Sequence, residues 1–180
     1  MDRRFCYTRP MKPIADAAGV EKILDQMAAD IRAGCKRPEA IAFIGIRRRG
    51  DVLAARLANR LNITDVGSID ITLYRDDLSE TGAMARVGKT DVPFSVEGRE
   101  IILCDDVIMT GRSVLAALRE ILDFGRPERI HLCCLAERPE RELPIQPEFV
   151  GVRLRPGPGE KIDVRLAPTD EGDGVGINPR

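Results

Sequence analysis

The chain is poor in the side chains on which several common enzyme classes depend. Histidine occurs once among 180 residues, at position 131, so Ser-His-Asp catalysis and histidine-rich metal sites are not expected. The five cysteines are odd in number and include no Cys-x-x-Cys pair. Cys104, Cys133 and Cys134 lie in apolar runs, where cysteine behaves as a small core residue. His131 falls on a predicted strand, and we interpret it as a structural residue.

Long apolar runs and a strong net charge are also absent. No apolar stretch approaches the length of about 18 residues that a membrane span needs, and residues 1–5 lack the apolar core of a signal peptide. The net charge is −1, with 43% hydrophobic and 32% charged residues, so no global basic field indicates nucleic acid, although a local basic face is compatible with it. We therefore expect one cytoplasmic domain over residues 1–180, with reduced thiols and no membrane contact.

The most informative segment covers residues 101–122. Residues 101–104 form a continuous apolar run, which is typical of a strand buried on both faces of a parallel sheet. Asp105 and Asp106 follow at the predicted carboxyl end of this strand, where open α/β sheets bind ligands. The Thr-Gly-Arg-Ser string at 110–113 is a small-residue turn that opens a predicted helix.

These features suit a sugar phosphate. The free N–H groups and the positive dipole end of a helix N-terminus bind phosphate, and a glycine lets the backbone approach it closely. Two ionised carboxylates only accept hydrogen bonds, so Asp105 and Asp106 favour ribose hydroxyls or a hydrated cation. Such a pair is also a common loop start or helix cap, and on its own it does not decide between these interpretations. The whole run through Ser113 is more specific.

A second anion site is predicted at three consecutive arginines. Residues 41–46 are a predicted buried strand, Arg47, Arg48 and Arg49 follow it, and Gly50 precedes a predicted helix. Three arginines in a row are usually a solvated surface or a nucleic-acid patch. Because these lie between a strand end and a helix start, and because guanidinium groups form paired hydrogen bonds with phosphates, we interpret the segment as a pyrophosphate-binding loop.

The alternation of strands and helices across residues 41–135 predicts a doubly wound parallel α/β sheet. Asp16 is a candidate cap of an earlier helix. The other expectations are an irregular arm at 1–13, a strand at 69–74, a flexible loop at 75–95 that serves as a lid, a hood at 137–166 with short strands at 149–152 and 161–166, and a loosely held tail at 168–180.

Four segments resemble the PyrR family, pyrimidine-operon attenuators with uracil phosphoribosyltransferase activity and a type I phosphoribosyltransferase fold. They are Gly-Ile-Arg-Arg-Arg-Gly at 45–50, Asp-Ile-Thr-Leu-Tyr-Arg-Asp-Asp-Leu-Ser at 70–79, the run at 105–113, and Arg-Glu-Leu-Pro at 141–144 with Phe-Val-Gly at 149–151. The similarity spans residues 16–166. The string at 70–79 is the most specific, because general phosphoribosyltransferases do not share it.

The resemblance implies that uracil and phosphoribosyl pyrophosphate are converted to UMP and pyrophosphate with Mg²⁺. Asp105 and Asp106 would hold the ribose hydroxyls and, through them or through water, the metal ion, and Arg75 would lie in the loop that closes over the reactants. The other implied substrate contacts are Arg48, Arg49 and Gly50 in the pyrophosphate loop, where the family has a non-proline cis peptide, Asp76 in the closing loop, Thr110, Gly111, Arg112 and Ser113 at the 5′-phosphate, and Phe149 and Val150 near the base.

The sequence departs from related patterns at three places. Met109 stands where many purine-specific relatives have an aspartate that handles a proton, so a purine-type general base is not expected. Ser113 replaces the usual threonine and keeps the hydroxyl, and residues 136–139, Ala-Glu-Arg-Pro, differ from the family's Asp-Arg-Gly-His. A dinucleotide-binding oxidoreductase is not favoured, since no Gly-x-Gly-x-x-Gly follows a predicted strand.

The resemblance also implies binding of a pyrimidine-leader mRNA stem-loop when UMP or UTP occupies the nucleotide site. The acidic residues Asp25 and Asp30 on the first predicted helix would repel RNA. Solvated surface or subunit contact is an equally open interpretation of the basic residues, and a nucleotide-sensing regulator with weak transferase activity is the alternative function. The family also implies a homodimer or larger homo-oligomer. The basic candidates for an RNA face are Arg138, Arg141, Arg153, Arg155, Lys161 and Arg165.

Overall fold

The computed structural model describes residues 12–71 and 90–179. Within these ranges it contains a five-stranded parallel sheet with helices on both faces and a three-stranded antiparallel sheet. The helices are α1 (Ala17–Gly34), α2 (Gly50–Leu61) and α3 (Arg112–Asp123). The strands are β1 (Lys12–Ala15), β2 (Ile41–Ile46), β3 (Val66–Ile69), β4 (Glu100–Ile108), β5 (Arg129–Glu137), β6 (Phe149–Arg153), β7 (Glu160–Arg165) and β8 (Gly174–Pro179).

The large sheet has the strand order β3-β2-β4-β5-β6, and all neighbouring strands are parallel. Its two faces bury separate cores. Phe43 of β2 belongs to the core beneath α1 and α2, whereas its neighbour Ile44 belongs to the core beneath α3. Burial of each such side chain contributes about 1.5–3 kcal/mol. The predicted doubly wound parallel sheet is therefore confirmed.

Helix α1 begins where the sequence predicts. The Asp16 carboxylate accepts a hydrogen bond from the Gly19 N–H at 2.8 Å, which satisfies one of the free donors of the first turn. Apolar residues spaced three or four apart then face the sheet, and the helix ends at Gly34, before the extended residue Cys35. These buried residues are Val20, Leu24, Met27, Ala28 and Ile31.

The small sheet is built from both ends of the described chain, in the order β1-β8-β7. The tail at 168–180 was predicted to be loosely held, and this is wrong. Val175 of β8 is fully buried between its register partners Ala15 of β1 and Val164 of β7. This apolar contact holds the tail in the sheet, although the glycine content of the tail suggested a loose segment. Lys12 and Pro13, predicted to be irregular, belong to β1.

The region predicted as a hood at 137–166 is divided between the two sheets. Strand β6 is the edge strand of the large sheet, where it pairs with β5, and only β7 joins the small sheet. The motif strand β4 is longer than predicted and includes both aspartates of the 105–106 pair.

The strand predicted at 69–74 is found earlier, as β3 at Val66–Ile69. Residues 72–74, and the part of the predicted lid at 75–89, lie outside the described residues. The remaining end of the lid is tied to β3, because Ser68 and Asp91 exchange backbone hydrogen bonds of 2.7 and 2.8 Å. Among the helices that the structure describes, none has the length and apolar character needed to cross a bilayer.

Candidate active site

Two glycines bring the arginine loop after β2 against the end of β4. A Cβ atom on Gly50 would lie 2.5 Å from the carbonyl oxygen of Cys104 and 3.1 Å from the Asp105 Cα. A Cβ atom on Gly45 would lie 2.3 Å from the Gly50 carbonyl oxygen. Neither position has room for a side chain, so the glycines allow the close backbone approach that places the arginines beside the aspartates.

Arg49 connects the two predicted parts of the site. It has a left-handed backbone (φ 71°) and immediately precedes α2. One of its terminal nitrogens, Nη1, lies 3.8 Å from Asp106 Oδ2. Its Nε and Nη2 donate to the two carboxylate oxygens of Asp170, each at 2.8 Å. The arginine loop, the second aspartate of the 105–106 pair and the C-terminal tail therefore meet at one guanidinium group.

The other two arginines of the loop have different surroundings. Arg47 donates through Nε to Ser68 Oγ at 2.9 Å, which holds it against β3. The peptide bond between Arg47 and Arg48 is cis, as the family resemblance implies. The Arg48 side chain is exposed, and within the described part of the chain it has no ion pair.

The aspartate pair is held by its own backbone. The Asp106 N–H donates to Asp105 Oδ1 at 3.0 Å, and the Val107 N–H donates to Asp106 Oδ1 at 2.9 Å. Asp105 is buried at the end of β4, and the Asp106 side chain is mostly buried. Both carboxylates are therefore fixed in direction before any ligand binds.

The predicted phosphate turn opens α3 at the same edge of the sheet. Gly111 precedes the helix with φ 92°, a conformation that favours glycine, and the Arg112 N–H donates to Thr110 Oγ1 at 3.3 Å. The Arg112 side chain pairs with Glu142 at 2.7 Å. The N–H groups of Glu142 and Leu143 donate to the Thr110 carbonyl oxygen, so the segment after β5 fixes the turn.

Arg141 and Arg138, two of the predicted RNA-binding residues, make several contacts within the protein. The Arg141 side chain is only 9% exposed and pairs with Glu137 at 2.7 Å. It also donates to the carbonyl oxygens of Met109 and Ile145, at 2.5 and 3.0 Å. The mostly buried Arg138 donates to Glu140 and to the Glu160 carbonyl oxygen. These bonds use the guanidinium groups to join loops, and RNA binding by the two residues stays a prediction.

Phe149 and Val150, the residues predicted near the base, pack in the two cores. Phe149 is buried in the core beneath α1, with its ring centroid 5.7 Å from that of His131. A Cβ atom on Gly34 would lie 2.9 Å from the Phe149 ring, so the ring fills the space at the end of α1, and a contact of Phe149 or Val150 with the base stays a prediction. Val150 packs partly buried against the core beneath α3. Arg75 and Asp76 lie outside the described residues.

Asp170 is the site residue that the sequence did not predict. Its carboxylate also accepts the Leu166 N–H at 2.8 Å, and nearby Asp173 pairs with Arg56 of α2 at 2.6 Å. The only signal in the sequence is the acidic character of the tail. Two tail carboxylates thus anchor the small sheet to the first turns of α2.

Replacement of Asp170 by asparagine is expected to change acid stability. Hydrogen bonds from Arg49 lower the pKa of the Asp170 carboxyl from 3.8 to about 2. Because the folded-state pKa is the lower one, its contribution is complete above about pH 4 and is lost as the pH falls toward about 2. We expect Asp170→Asn to lower the free energy of unfolding by about 1 kcal/mol at pH 7, and to flatten the pH dependence in that window.

Urea unfolding at pH 7 and at successively lower pH measures this effect. The matched control is Glu171→Gln, which removes an exposed neighbouring carboxylate and should leave the curve unchanged. Equal stability of Asp170→Asn and the wild type at pH 7 would contradict the anchoring role.

Comparison with solved structures shows which proteins share this fold. Two solved structures with the same fold are a hypoxanthine phosphoribosyltransferase from Staphylococcus aureus, with a TM-score of 0.72 at 15% identity, and a hypoxanthine-guanine phosphoribosyltransferase from Bacillus anthracis, with a TM-score of 0.69 at 17% identity. The alignments cover 96% of this chain and 92% of the first protein, and 94% and 98% for the second. At these identities the likeness concerns the fold alone.

Relatives of higher identity place the chain in a family. The phosphoribosyl transferase domain family matches residues 11–167. The bifunctional protein PyrR of Roseiflexus sp. (strain RS-1) is 44% identical over 172 residues, covering 92% of this chain and 94% of the relative. The bifunctional protein PyrR of Listeria monocytogenes serotype 4b is 41% identical over 174 residues, covering 92% and 95%. The chain is therefore a phosphoribosyltransferase-domain protein that belongs to the PyrR family.

Proposed function

We propose that the protein transfers the phosphoribosyl group of phosphoribosyl pyrophosphate to uracil, which forms UMP and pyrophosphate. The observation that carries this proposal is the approach of Arg49 to Asp106, at 3.8 Å, in a member of the PyrR family. This contact brings the arginine loop, a proposed anion site, beside a pair of hydroxyl acceptors, and β4 leads within a few residues to the N-terminus of α3. A sugar that carries phosphate groups at both ends needs all three.

In the proposed reaction, the bond between ribose C1′ and the pyrophosphate oxygen breaks, and a bond forms between C1′ and N1 of uracil. The N1 proton is released, and pyrophosphate leaves with the electron pair of the broken bond. The transition state has positive charge on the ribose ring and growing negative charge on the leaving group. The protein must therefore stabilise charge, align the reactants and exclude water.

Different residues at the sheet edge carry out these tasks. Arg48 and Arg49 neutralise the departing pyrophosphate, and the anion competes with Asp170 for the Arg49 guanidinium. Asp105 and Asp106 accept hydrogen bonds from the ribose hydroxyls, and their fixed direction aligns the ring. The N–H groups of the turn from Thr110 to Ser113 hold the 5′-phosphate at the N-terminus of α3. Arg75 and Asp76 remain proposed residues of the closing loop.

The aspartate pair also suits Mg²⁺. Oxygen ligands are the ones this ion prefers, and it commonly binds through one or two carboxylates together with substrate phosphates and water. Asp105 and Asp106 would hold it through ribose hydroxyls or water. When bound, the ion supplies positive charge against the pyrophosphate oxygens. We also propose a cytoplasmic homo-oligomer, on the family resemblance.

Met109 bears on which nucleobase the protein uses as a substrate. Its side chain cannot accept a proton, and its carbonyl oxygen is bound by Arg141 at 2.5 Å. A purine substrate, which benefits from a proton acceptor at this position, should therefore be used poorly. We expect kcat/KM for uracil to exceed that for hypoxanthine and for guanine by about 100-fold or more, the usual contribution of a positioned proton acceptor.

The assay compares the three bases at saturating phosphoribosyl pyrophosphate and Mg²⁺, with separation of the nucleotide products. Met109→Asp is the informative variant, because it introduces the carboxylate of purine-specific relatives. A wild-type protein that uses hypoxanthine as well as uracil would contradict the assignment of the base, while leaving phosphoribosyl transfer intact.

A second function, nucleotide-dependent RNA binding, is favoured by a specific contact of α1. The acidic residues Asp25 and Asp30 were expected to repel RNA, but Arg60 of α2 pairs with Asp25 at 2.8 Å and also with the nearby Glu21. The arginine reduces the negative field on this face. The relatives are described as bifunctional, and Arg153 remains 71% exposed. We therefore propose that the protein also binds a pyrimidine-leader stem-loop when UMP or UTP is bound.

The double variant Arg153→Ala/Lys161→Ala tests this second function. Both side chains are exposed, so the substitutions should leave the fold and the transferase activity unchanged. We expect RNA affinity in the presence of UMP to fall, with a shallower dependence on salt because fewer counterions are released. Filter binding over a salt series, with Arg37→Ala as the control, gives the measurement. RNA binding by the wild type that does not respond to UMP would contradict the regulatory proposal.

A further inference from the structure

A second cluster of chemically reactive side chains lies at the opposite end of the large sheet. Cys35 follows the last residue of α1, Glu100 begins β4, and His131 is the third residue of β5. All three are buried, with 7%, 2% and 3% exposure. One ligand atom from each lies within 4.8 Å of the others. The predicted structural role of His131 does not account for this grouping.

The orientation of the histidine ring is set by a fourth residue. His131 Nδ1 contacts a carboxylate oxygen of Glu148, and a carboxylate accepts hydrogen bonds, so Nδ1 carries a proton. Nε2 points in the other direction, at Glu100 Oε2, 3.4 Å away. In a neutral imidazole with a protonated Nδ1, Nε2 presents a lone pair. Two lone pairs that face each other in a buried place repel each other unless a second proton or a metal ion lies between them.

The spacing and the charges of this cluster suit a divalent metal ion. Zn²⁺ with nitrogen and oxygen ligands at about 2.0–2.2 Å in a tetrahedron places those ligands about 3.4 Å apart. A thiolate and a carboxylate together carry two negative charges, which the ion neutralises, so the occupied site adds no net charge to the buried end of the sheet. Cysteine, histidine and glutamate are all established zinc ligands.

The neighbouring groups match the usual surroundings of a metal site. A histidine ligand generally donates its other ring N–H to a carboxylate, and ligating carboxylates are themselves hydrogen-bonded. Glu148 supplies the first of these contacts, and the Lys36 N–H, 3.2 Å from Glu100 Oε2, supplies the second. The cluster therefore has both the ligands and the partners that orient them.

We propose that Cys35 Sγ, a Glu100 carboxylate oxygen and His131 Nε2 bind one Zn²⁺ ion, with a fourth coordination position open to water. The ion joins the end of α1 to the first residues of β4 and β5, at the edge of the sheet away from the phosphoribosyl site. Its role is structural, and it does not depend on the proposed transferase function.

Metal binding at this site should strengthen as the pH rises. Zinc binds cysteine as a thiolate, so the ion must displace the proton of the Cys35 thiol. A metal affinity that increases with pH is expected when a ligand must lose a proton to bind the metal, as a thiol does.

Co²⁺ titration of the purified full chain, followed by absorption spectroscopy, tests the proposal directly. Tetrahedral Co²⁺ with one thiolate ligand gives ligand-field bands and a thiolate-to-metal charge-transfer band, whereas Co²⁺ on the oxygen ligands at Asp105 and Asp106 gives no charge-transfer band. We expect the charge-transfer band to reach its full intensity at one equivalent of Co²⁺ per chain, and to disappear when Zn²⁺ is added.

Variants locate the site. Cys35→Ser should abolish the charge-transfer band, and Cys134→Ser should retain it, because Cys134 lies in the core on the other face of the sheet. Glu148→Gln should weaken Zn²⁺ affinity by about 10- to 100-fold, the usual effect of losing the partner of a histidine ligand. Zn²⁺ should raise the thermal midpoint of the wild type and leave that of Cys35→Ser unchanged.

Two results would overturn the proposal. One is a wild-type spectrum without a charge-transfer band, which would show that a proton on His131 occupies the place assigned to the metal. The other is a band that persists in Cys35→Ser. The wild-type result is decisive even where a variant folds poorly, and UMP formation with Mg²⁺ as the only added metal reports separately on the transferase site.

Discussion

Arg48→Ala is expected to lower kcat/KM for phosphoribosyl pyrophosphate by about 100- to 1,000-fold, the usual cost of removing one group that stabilises developing charge. The Arg48 side chain is exposed in the loop that Gly45 and Gly50 hold against β4. Unlike Arg49, it has no ion pair within the described residues. A departing pyrophosphate is the strongest anion it would meet, so its contribution should be largest in the transition state.

Steady-state kinetics of UMP formation, with each substrate varied in turn, measure this loss. Arg48→Lys should recover part of the rate, because it keeps the charge but not the paired geometry of guanidinium. Arg37→Ala is the control, since Arg37 is an exposed arginine before β2, at the other end of the sheet, where it pairs with Glu128 at 2.5 Å. A kcat/KM for Arg48→Ala close to that of the wild type would remove Arg48 from the proposed site.

Asp106→Asn is expected to have a similarly large effect, with kcat/KM lowered by about 100-fold or more. The substitution keeps the shape of the side chain and removes the charge that faces Arg49 at 3.8 Å. An amide presents a donor to the ribose hydroxyls where the carboxylate presents only acceptors, so the sugar is no longer held in one orientation. The weaker attraction also leaves Arg49 bound by Asp170 alone.

The kinetics of Asp106→Asn and Asp105→Asn should be compared with those of Asp123→Asn. Asp123 is an exposed aspartate at the end of α3, so its substitution controls for the loss of one charge. Circular dichroism checks that the buried position of Asp105 tolerates the amide. If Asp106→Asn turned over uracil at the wild-type rate, the assignment of the pair to the ribose would be wrong.

The elements that could be predicted are those with strong local signals. Strand β2 is found at the predicted residues Ile41–Ile46, because a continuous apolar run between polar segments has few alternatives in a doubly wound sheet. Helix α1 begins after Asp16 because a side-chain cap is a local interaction. The order of the arginine loop, the aspartates and the glycine turn along the chain was sufficient to predict their meeting at one sheet edge.

The features that were missed depend on distant parts of the chain. Arg49 and Asp170 are separated by 121 positions, and no local pattern indicates that an acidic, glycine-containing tail returns to the first turn of α2. The burial of Phe149 depends on the space left by Gly34 at the end of α1. The family motif indicated that Phe149 matters, but the packing of its ring in the core beneath α1 depends on neighbours that are distant in the chain.

The measurement that tests the central claim most directly is the formation of UMP by the purified protein from uracil, phosphoribosyl pyrophosphate and Mg²⁺. We predict that UMP and pyrophosphate appear in equal amounts, that Asp106→Asn loses most of this activity, and that Asp123→Asn retains it. Absence of UMP from a folded wild-type protein that still binds phosphoribosyl pyrophosphate would contradict the account, and would leave a nucleotide-sensing member of the PyrR family without transferase activity.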